Sequence, residues 1–100
     1  MYAQIIESGT MPERIDELAL AIRRELVTAL REQHGFSGLL SLLDRKTGRG
    51  LIVVLWETDD EVARTLEDCG APMLTALAAL AEILCGDSGP PTVWEVAARG

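Results

Sequence analysis

The sequence has no asparagine, one lysine (Lys46), one histidine (His34) and only two cysteines, Cys69 and Cys85. Two cysteines cannot form a disulfide scaffold, and without an export signal they read as free thiols in a reducing cytoplasm. No Cys-x-x-Cys, His-Glu-x-x-His or clustered His/Cys pattern is present, so neither a metal site nor a dinucleotide fingerprint is expected. Cations are scarce: nine Lys and Arg stand against sixteen Asp and Glu, a formal charge of −7. That balance argues against nucleic acid and against an anionic membrane surface, because both partners are held by Lys and Arg. The longest uncharged stretch, Cys69 to Ala81, falls short of the about 20 apolar residues a membrane span needs. Met1 to Ser8 has no basic start and already carries Glu7, so no secretory signal is read and the expected location is cytoplasmic. The preference for arginine over lysine matches the codon bias of a GC-rich bacterial genome.

What is present describes one folded unit. One hundred residues, 48% hydrophobic and 25% charged, are enough for a single domain over 1–100 with its own core. Tyr2-Ala3-Gln4-Ile5-Ile6-Glu7-Ser8 has strand composition, and Gly9 ends it. Thr10-Met11-Pro12-Glu13 reads as a capping box opening a helix that runs to about His34. Ile15, Leu18, Ile22, Leu26 and Ala29/Leu30 mark its apolar face, and Gly35 its left-handed stop. Phe36 to Asp44 and Leu51 to Trp56 are the next strands, joined by the hairpin loop Arg45-Lys46-Thr47-Gly48-Arg49-Gly50. Thr58-Asp59-Asp60-Glu61 is a second capping box, opening a short helix to about Glu67. Asp68 to Pro72 interrupts it, and Met73 to Leu84 is helical and almost wholly apolar. Thr92 to Ala98 is the last strand, with Trp94 and Val96 on one face.

The order strand, helix, strand, strand, helix, strand predicts an α+β fold. It is the ferredoxin-like split βαβ arrangement (βαββαβ), a four-stranded antiparallel sheet with both helices on one face. The other face has no cover. Leu51–Trp56 is apolar at every position, which implies burial on both sides. On the strand before it, Leu39 and Leu43 fall to one side, and Phe36, Leu40 and Leu42 to the other. At about 25 cal/mol per Å², leaving such a face wet forfeits several kcal/mol. A second copy packed sheet to sheet, a homodimer, is the economical cover. The alternative is a helix or the C-terminal segment folded over that face.

Three pieces together resemble one family. Gly35-Phe36-Ser37-Gly38 opens the second strand, Asp44 to Gly50 makes a charged hairpin, and Val53-Val54-Leu55-Trp56-Glu57-Thr58 runs through a Trp into the second helix. The pattern is similar to the antibiotic biosynthesis monooxygenase (ABM) family of the dimeric α/β-barrel superfamily. The resemblance implies a ferredoxin-like protomer, a homodimer joined through the sheet faces, and a pocket between sheet and helices. Family members include cofactor-independent oxygenases of polycyclic aromatics and enzymes that degrade haem. The haem-degrading class uses an Asn on the first strand, a Trp on the second helix and a His beyond it. Here Tyr2–Ser8 has no Asn, the helix reads Ala63-Arg64-Thr65-Leu66, and Met73–Leu84 has no His, so haem degradation is not carried over. Some aromatic-oxidising members also use an Asn, which this sequence lacks altogether.

The candidate site residues follow. His34, the only histidine, could act as a general base on a phenolic substrate; its place at a helix end favours instead a cation complementing the dipole. Tyr2 could orient a ligand through its hydroxyl, or simply lie at a sheet edge. Trp56 and Trp94 could wall an aromatic pocket, or pack in core and interface. Leu77 would line that pocket, or with Leu74, Leu80 and Ile83 fill it. Arg45, Lys46 and Arg49 read as a solvated turn, with anion steering the alternative. The serine-protease-like Gly86-Asp87-Ser88-Gly89 and the GxxG of Gly35–Gly38 lack the surroundings their chemistries need. The expected function is a cofactor-independent monooxygenase, with no metal or flavin, acting on a small or polycyclic aromatic. The alternative is a non-catalytic homodimeric module that binds a small apolar ligand or serves a partner enzyme.

Overall fold

A computed structural model describes residues 1–58, 75, 78–84 and 91–98. The elements are β1 (Tyr2–Gly9), a 3-10 turn (Pro12–Arg14), α1 (Ile15–Ala21), a π-helical segment (Ile22–Leu26), α2 (Val27–Arg31), β2 (Phe36–Leu43), β3 (Arg49–Trp56) and β4 (Thr92–Glu95). The strands form one antiparallel sheet in the order β2-β3-β1-β4. The first helical layer covers one face, as the split βαβ order requires. The expected second helix to Glu67 and the interruption at Asp68–Pro72 lie outside the described residues. Of the expected Met73–Leu84 helix, Thr75 and 78–81 are helical.

The long first helix is segmented rather than continuous. Pro12 opens the 3-10 turn, where a missing amide costs nothing. At Ile22–Leu26 the turn widens, and the Val27 amide reaches back to Ile22 O. Thr28 Oγ1 donates to Arg24 O at 2.8 Å, supplying a partner to a carbonyl of the widened turn. The predicted apolar stripe is buried throughout: Ile15, Leu18, Ile22, Leu26, Ala29 and Leu30. Leu18 to Leu30 of that stripe pack with Ile52, Val54 and Trp56 from β3 and Leu80 and Ile83 from the last helical stretch. Gly35, at φ 83°, makes the left-handed exit.

The first capping box is not formed. No side chain caps the 3-10 turn or α1. Thr10 Oγ1 instead donates to Ile83 O at 2.8 Å, and Arg14 Nη1 to Glu82 O at 3.2 Å. Both carbonyls stand at the C-terminal end of the 78–81 helical stretch, where backbone acceptors lack intrahelical partners. A long-range acceptor therefore takes the hydroxyl that local spacing assigns to the helix start. The same end is closed by the hairpin. The Thr10 amide donates to Gly48 O at 2.9 Å, and a Cβ on Gly48 (φ +80°) would stand 1.9 Å from Thr10 O. Gly50 needs no positive φ: it sits in β3 opposite Ser8.

Four strand expectations are corrected. β2 ends at Leu43, not Asp44, and β3 begins at Arg49, not Leu51. β4 is short, and Val96 lies beyond it, although its amide still donates to Met1 O at 3.0 Å. Phe36 changes face. Phe36 pairs with Trp56 and Gly38 with Leu55, so Ser37 is an extra residue in a bulge. The bulge inverts the alternation, placing Phe36 on the helix side with Leu39 and Leu43.

The register settles both faces. Tyr2, Gln4, Ile6 and Ser8 lie with Trp56, Val54 and Ile52 toward the helices, whereas Ala3, Ile5, Leu51, Val53 and Leu55 lie on the other side. Leu40, Leu42 and Trp94 share that outer side and are 55%, 50% and 59% exposed in the protomer.

Gly48→Ala is expected to destabilise the protein by about 1–3 kcal/mol in urea unfolding, because the added Cβ meets backbone at a left-handed position. Arg14 also grips Glu17 through two 3.0 Å hydrogen bonds, and these, helped by its charge, hold the Glu17 carboxyl below its ordinary pKa. That stabilisation is present above the unfolded-state pKa and is lost as pH falls through the folded one. An NMR titration should find a lowered Glu17 midpoint that returns to the ordinary carboxylate value in Arg14→Met.

Candidate functional site

The inner sheet face ends in a row set by cross-strand register. Glu95, Tyr2, Trp56 and Phe36 lie side by side across β4, β1, β3 and β2. Trp56 is the centre of the row and is 0% exposed. Its ring meets Phe36 edge-on, with centroids 6.1 Å apart and planes at 76°, a favoured aromatic geometry. Its Nε1 donates to Gln4 Oε1 at 3.2 Å within the buried layer. Tyr2, half-buried, adjoins Trp56 on β1 and stands two residues before Gln4 on the same face. The structure thus brings Tyr2 and Trp56 together.

His34 belongs to the same end of the sheet but not to the buried layer. It is exposed in the turn between α2 and β2. The turn is tied down next to it: Gly35 O accepts from the Glu57 amide at 2.9 Å. Trp94 goes elsewhere. It pairs with Ala3 and so faces away from Trp56, and its Nε1 donates to Thr92 Oγ1 at 2.9 Å. The two tryptophans therefore do not form one wall, because β1 neighbours Tyr2 and Ala3 point to opposite sides. Leu77 lies outside the described residues, while Leu80 and Ile83 are core.

The basic hairpin is a built turn. Asp44 Oδ1 accepts from the Lys46 amide at 2.9 Å and Thr47 Oγ1 from the Arg49 amide at 3.2 Å. Arg45 reaches Asp16 on α1 at 3.0 Å. Both groups of that pair are well exposed, so it contributes little. Elsewhere a groove of about 220 Å³ opens on the helical layer, lined by Arg24, Glu25, Thr28, Ala29, Glu32 and Thr75. None of the sequence-predicted site residues lines it. Among the described residues no cluster of His, Cys, Asp and Glu is arranged to hold a metal ion. No helix among them is long and apolar enough to cross a membrane.

Gln4 is a buried polar residue the sequence does not single out, 6% exposed. Thr10, a helix cap by local spacing, is also buried and bridges to the remote Ile83 carbonyl, which no local signal marks. Gln4 shares the inward face of β1 with Tyr2, Ile6 and Ser8, a face assigned by register with β3.

No family model and no curated protein matches the sequence. Solved structures do match, over nearly the whole chain. A provisionally named antibiotic biosynthesis monooxygenase from Bordetella bronchiseptica superposes with a TM-score of 0.80 at 14% identity, covering 97% of each chain. Another from Nitrosomonas europaea gives 0.74 at 16%, covering 98% of this chain and 100% of its own. The chain has the ABM fold. SnoaB of Streptomyces nogalater, a cofactor-independent oxygenase solved as a point mutant, gives 0.72 at 16%, covering 98% of this chain and 95% of its own. At these identities the likeness describes the backbone; it does not transfer side chains.

Trp56→Phe should cost about 2–4 kcal/mol in chemical unfolding, from lost core volume and an unpaired Gln4 oxygen. Its near-UV circular dichroism should flatten relative to that of Trp94→Phe, whose ring is exposed.

Proposed function

We propose that this protein is a homodimeric, cofactor-independent oxygenase of a small or polycyclic aromatic substrate. The observation that carries the reading is the likeness of the entire chain to ABM-fold structures, one of them a cofactor-independent oxygenase. The inner row supports it: a half-buried phenol at Tyr2 beside the indole of Trp56, with Phe36, Val54, Ile52 and Ile6 on the same face. Large apolar walls with few polar groups suit an aromatic ligand. The reaction class needs no bound redox group. An activated CH₂ flanked by aromatic rings loses a proton to a base, and the resulting anion reduces O₂. One oxygen atom ends as the product carbonyl and the other leaves as water, with all electrons supplied by the substrate. His34 and Tyr2 are the proposed proton-handling groups, with His34 acting from the rim and Tyr2 from the inner row. Trp56 and Leu77 are the proposed apolar lining.

The outer face supports the homodimer. Leu40, Leu42 and Trp94 are at least half exposed in the protomer, on the side the helices do not reach. An isologous sheet-to-sheet contact would bury them against their own copies, and Trp94 serves in it rather than in the pocket. A second reading, a non-catalytic binding module, is favoured by the complete burial of Trp56 in the packed core.

Purified protein incubated with anthrone under air should consume oxygen one-for-one with substrate and form anthraquinone. His34→Ala or Tyr2→Phe should lower kcat by about 10²-fold if it is the base. Uptake at the buffer rate over a broad anthrone and quinol panel would leave the binding-module reading. In sedimentation velocity at micromolar concentration the protein should run as a dimer, and Trp94→Asp should weaken association at least about tenfold. A stable wild-type monomer would overturn the assembly.

A further inference from the structure

β2 is an edge strand, and its edge is unguarded. The sheet order β2-β3-β1-β4 leaves one side of β2 without a neighbour. In an antiparallel pair, alternate residues turn both backbone groups toward the partner strand. The Asp44 amide donates to Arg49 O at 2.8 Å, and the register then turns Leu42, Leu40 and Gly38 toward β3 as well. Leu39, Ser41 and Leu43 therefore aim their amides and carbonyls away from the sheet. Among the described residues these groups have no hydrogen-bond partner. Nor is the edge covered: Ser41 is exposed, and Leu40 and Leu42 are 55% and 50% exposed.

Natural edge strands are blunted by lysine, proline, an inward charge or a bulge. Phe36–Leu43 has no charged residue and no proline, and its bulge, between Phe36 and Gly38, stands before Leu39–Leu43 rather than within it. The opposite edge, β4, is only four residues long and carries Glu95. Moreover, Leu39-Leu40-Ser41-Leu42-Leu43 reads the same in both directions. Such a strand is complementary to its own copy run antiparallel. With the two Ser41 residues facing, Leu39 meets the partner's Leu43 and Leu40 meets the partner's Leu42. Inner side chains then meet inner ones, outer meet outer, and hydroxyl meets hydroxyl. The same register sets the outward backbone groups of Leu39, Ser41 and Leu43 opposite one another, so each facing pair exchanges two hydrogen bonds. Moving the centre to Leu40 would instead set Ser41 against a leucine.

We infer that the β2 edge is a self-association site, where a second copy of this chain adds its own β2 antiparallel about a two-fold axis at Ser41 and continues the sheet across both subunits. This surface is not the outer face. There side chains would pack sheet on sheet; here backbone groups bond edge to edge, so the inference goes beyond the proposed dimer and does not depend on it. The pairing is isologous and stops at two copies, because each chain offers one such edge. It joins a short strand and buries little surface, so it belongs in the high micromolar range, above the concentration at which the outer face is proposed to pair.

Hydrogen exchange of the Leu39, Ser41 and Leu43 amides reads the edge directly. It is followed by NMR on the full chain at about 1 mM and about 20 μM. In wild type the three amides should exchange at least about tenfold more slowly at the higher concentration, and sedimentation equilibrium should show the mass doubling between the two. Ser41→Pro removes an amide that bonds nothing within the protomer, a place where an edge strand tolerates proline. Leu39 and Leu43 should then exchange at the dilute rate at both concentrations. Ser41→Lys sets like charges opposite each other at the axis and should do the same. Trp94→Asp, which addresses the outer face, should leave the protection in place. Equal exchange at both concentrations in wild type, or protection that persists in both Ser41 variants, would overturn the site. Loss of protection in Trp94→Asp would assign it to the face contact and overturn the edge.

Discussion

The pairing of β1 with β3 is the constraint on which the remaining structure depends. It runs without slippage from Tyr2 opposite Trp56 to Gly9 opposite Arg49. A shift of one residue would reverse the faces of one strand relative to the other. If β3 turned, Trp56, Val54 and Ile52 would leave the core and Leu51, Val53 and Leu55 would enter it. Hydrophobic burial holds the register from the helix side, and two glycines permit the close approach of the hairpin that ends it.

That register gives the protein two unlike apolar faces. The inner one packs, around Ile52, Val54 and Trp56, against the segmented first helix and Leu80 and Ile83. Its few polar groups each have a separate circumstance: Thr10 holds the end of the last helical stretch, Gln4 holds Trp56, and Ser8 is enclosed opposite Gly50. The outer one is dominated by Leu, Val, Ile and Trp side chains, with Glu7 on β1 and the Trp94–Thr92 hydrogen bond on β4 among them. On the proposed reading the inner face would serve the ligand and the outer face the second copy, one strand layer apart.

The architecture was legible in the sequence because it rests on periodicity. The helix stripe Ile15 to Leu30, the left-handed Gly35 exit, the hairpin at Asp44–Arg49 and the unbroken apolar β3 are each local patterns, and the strand order follows from short right-handed connections. The candidate site was legible only in part. Tyr2 and Trp56 do meet, because both close the same end of paired strands. Aromatic character alone groups Trp94 with Trp56, whereas face assignment needs a register that one strand does not contain. Simple alternation puts Phe36 on the wrong face because a bulge at Ser37 inserts one residue without altering the composition.

By itself, then, the amino-acid order determined the element types, the split βαβ topology and the excess of hydrocarbon over what two helices can cover. These depend on neighbours within a turn of helix or along a strand. Tertiary structure alone decided that Thr10 reaches Ile83, that Gln4 grips Trp56 and that the two tryptophans part company. Those outcomes join residues tens of positions apart, and a hydroxyl or an amide has no preference among distant partners until the sheet has brought one within 3 Å or so of it.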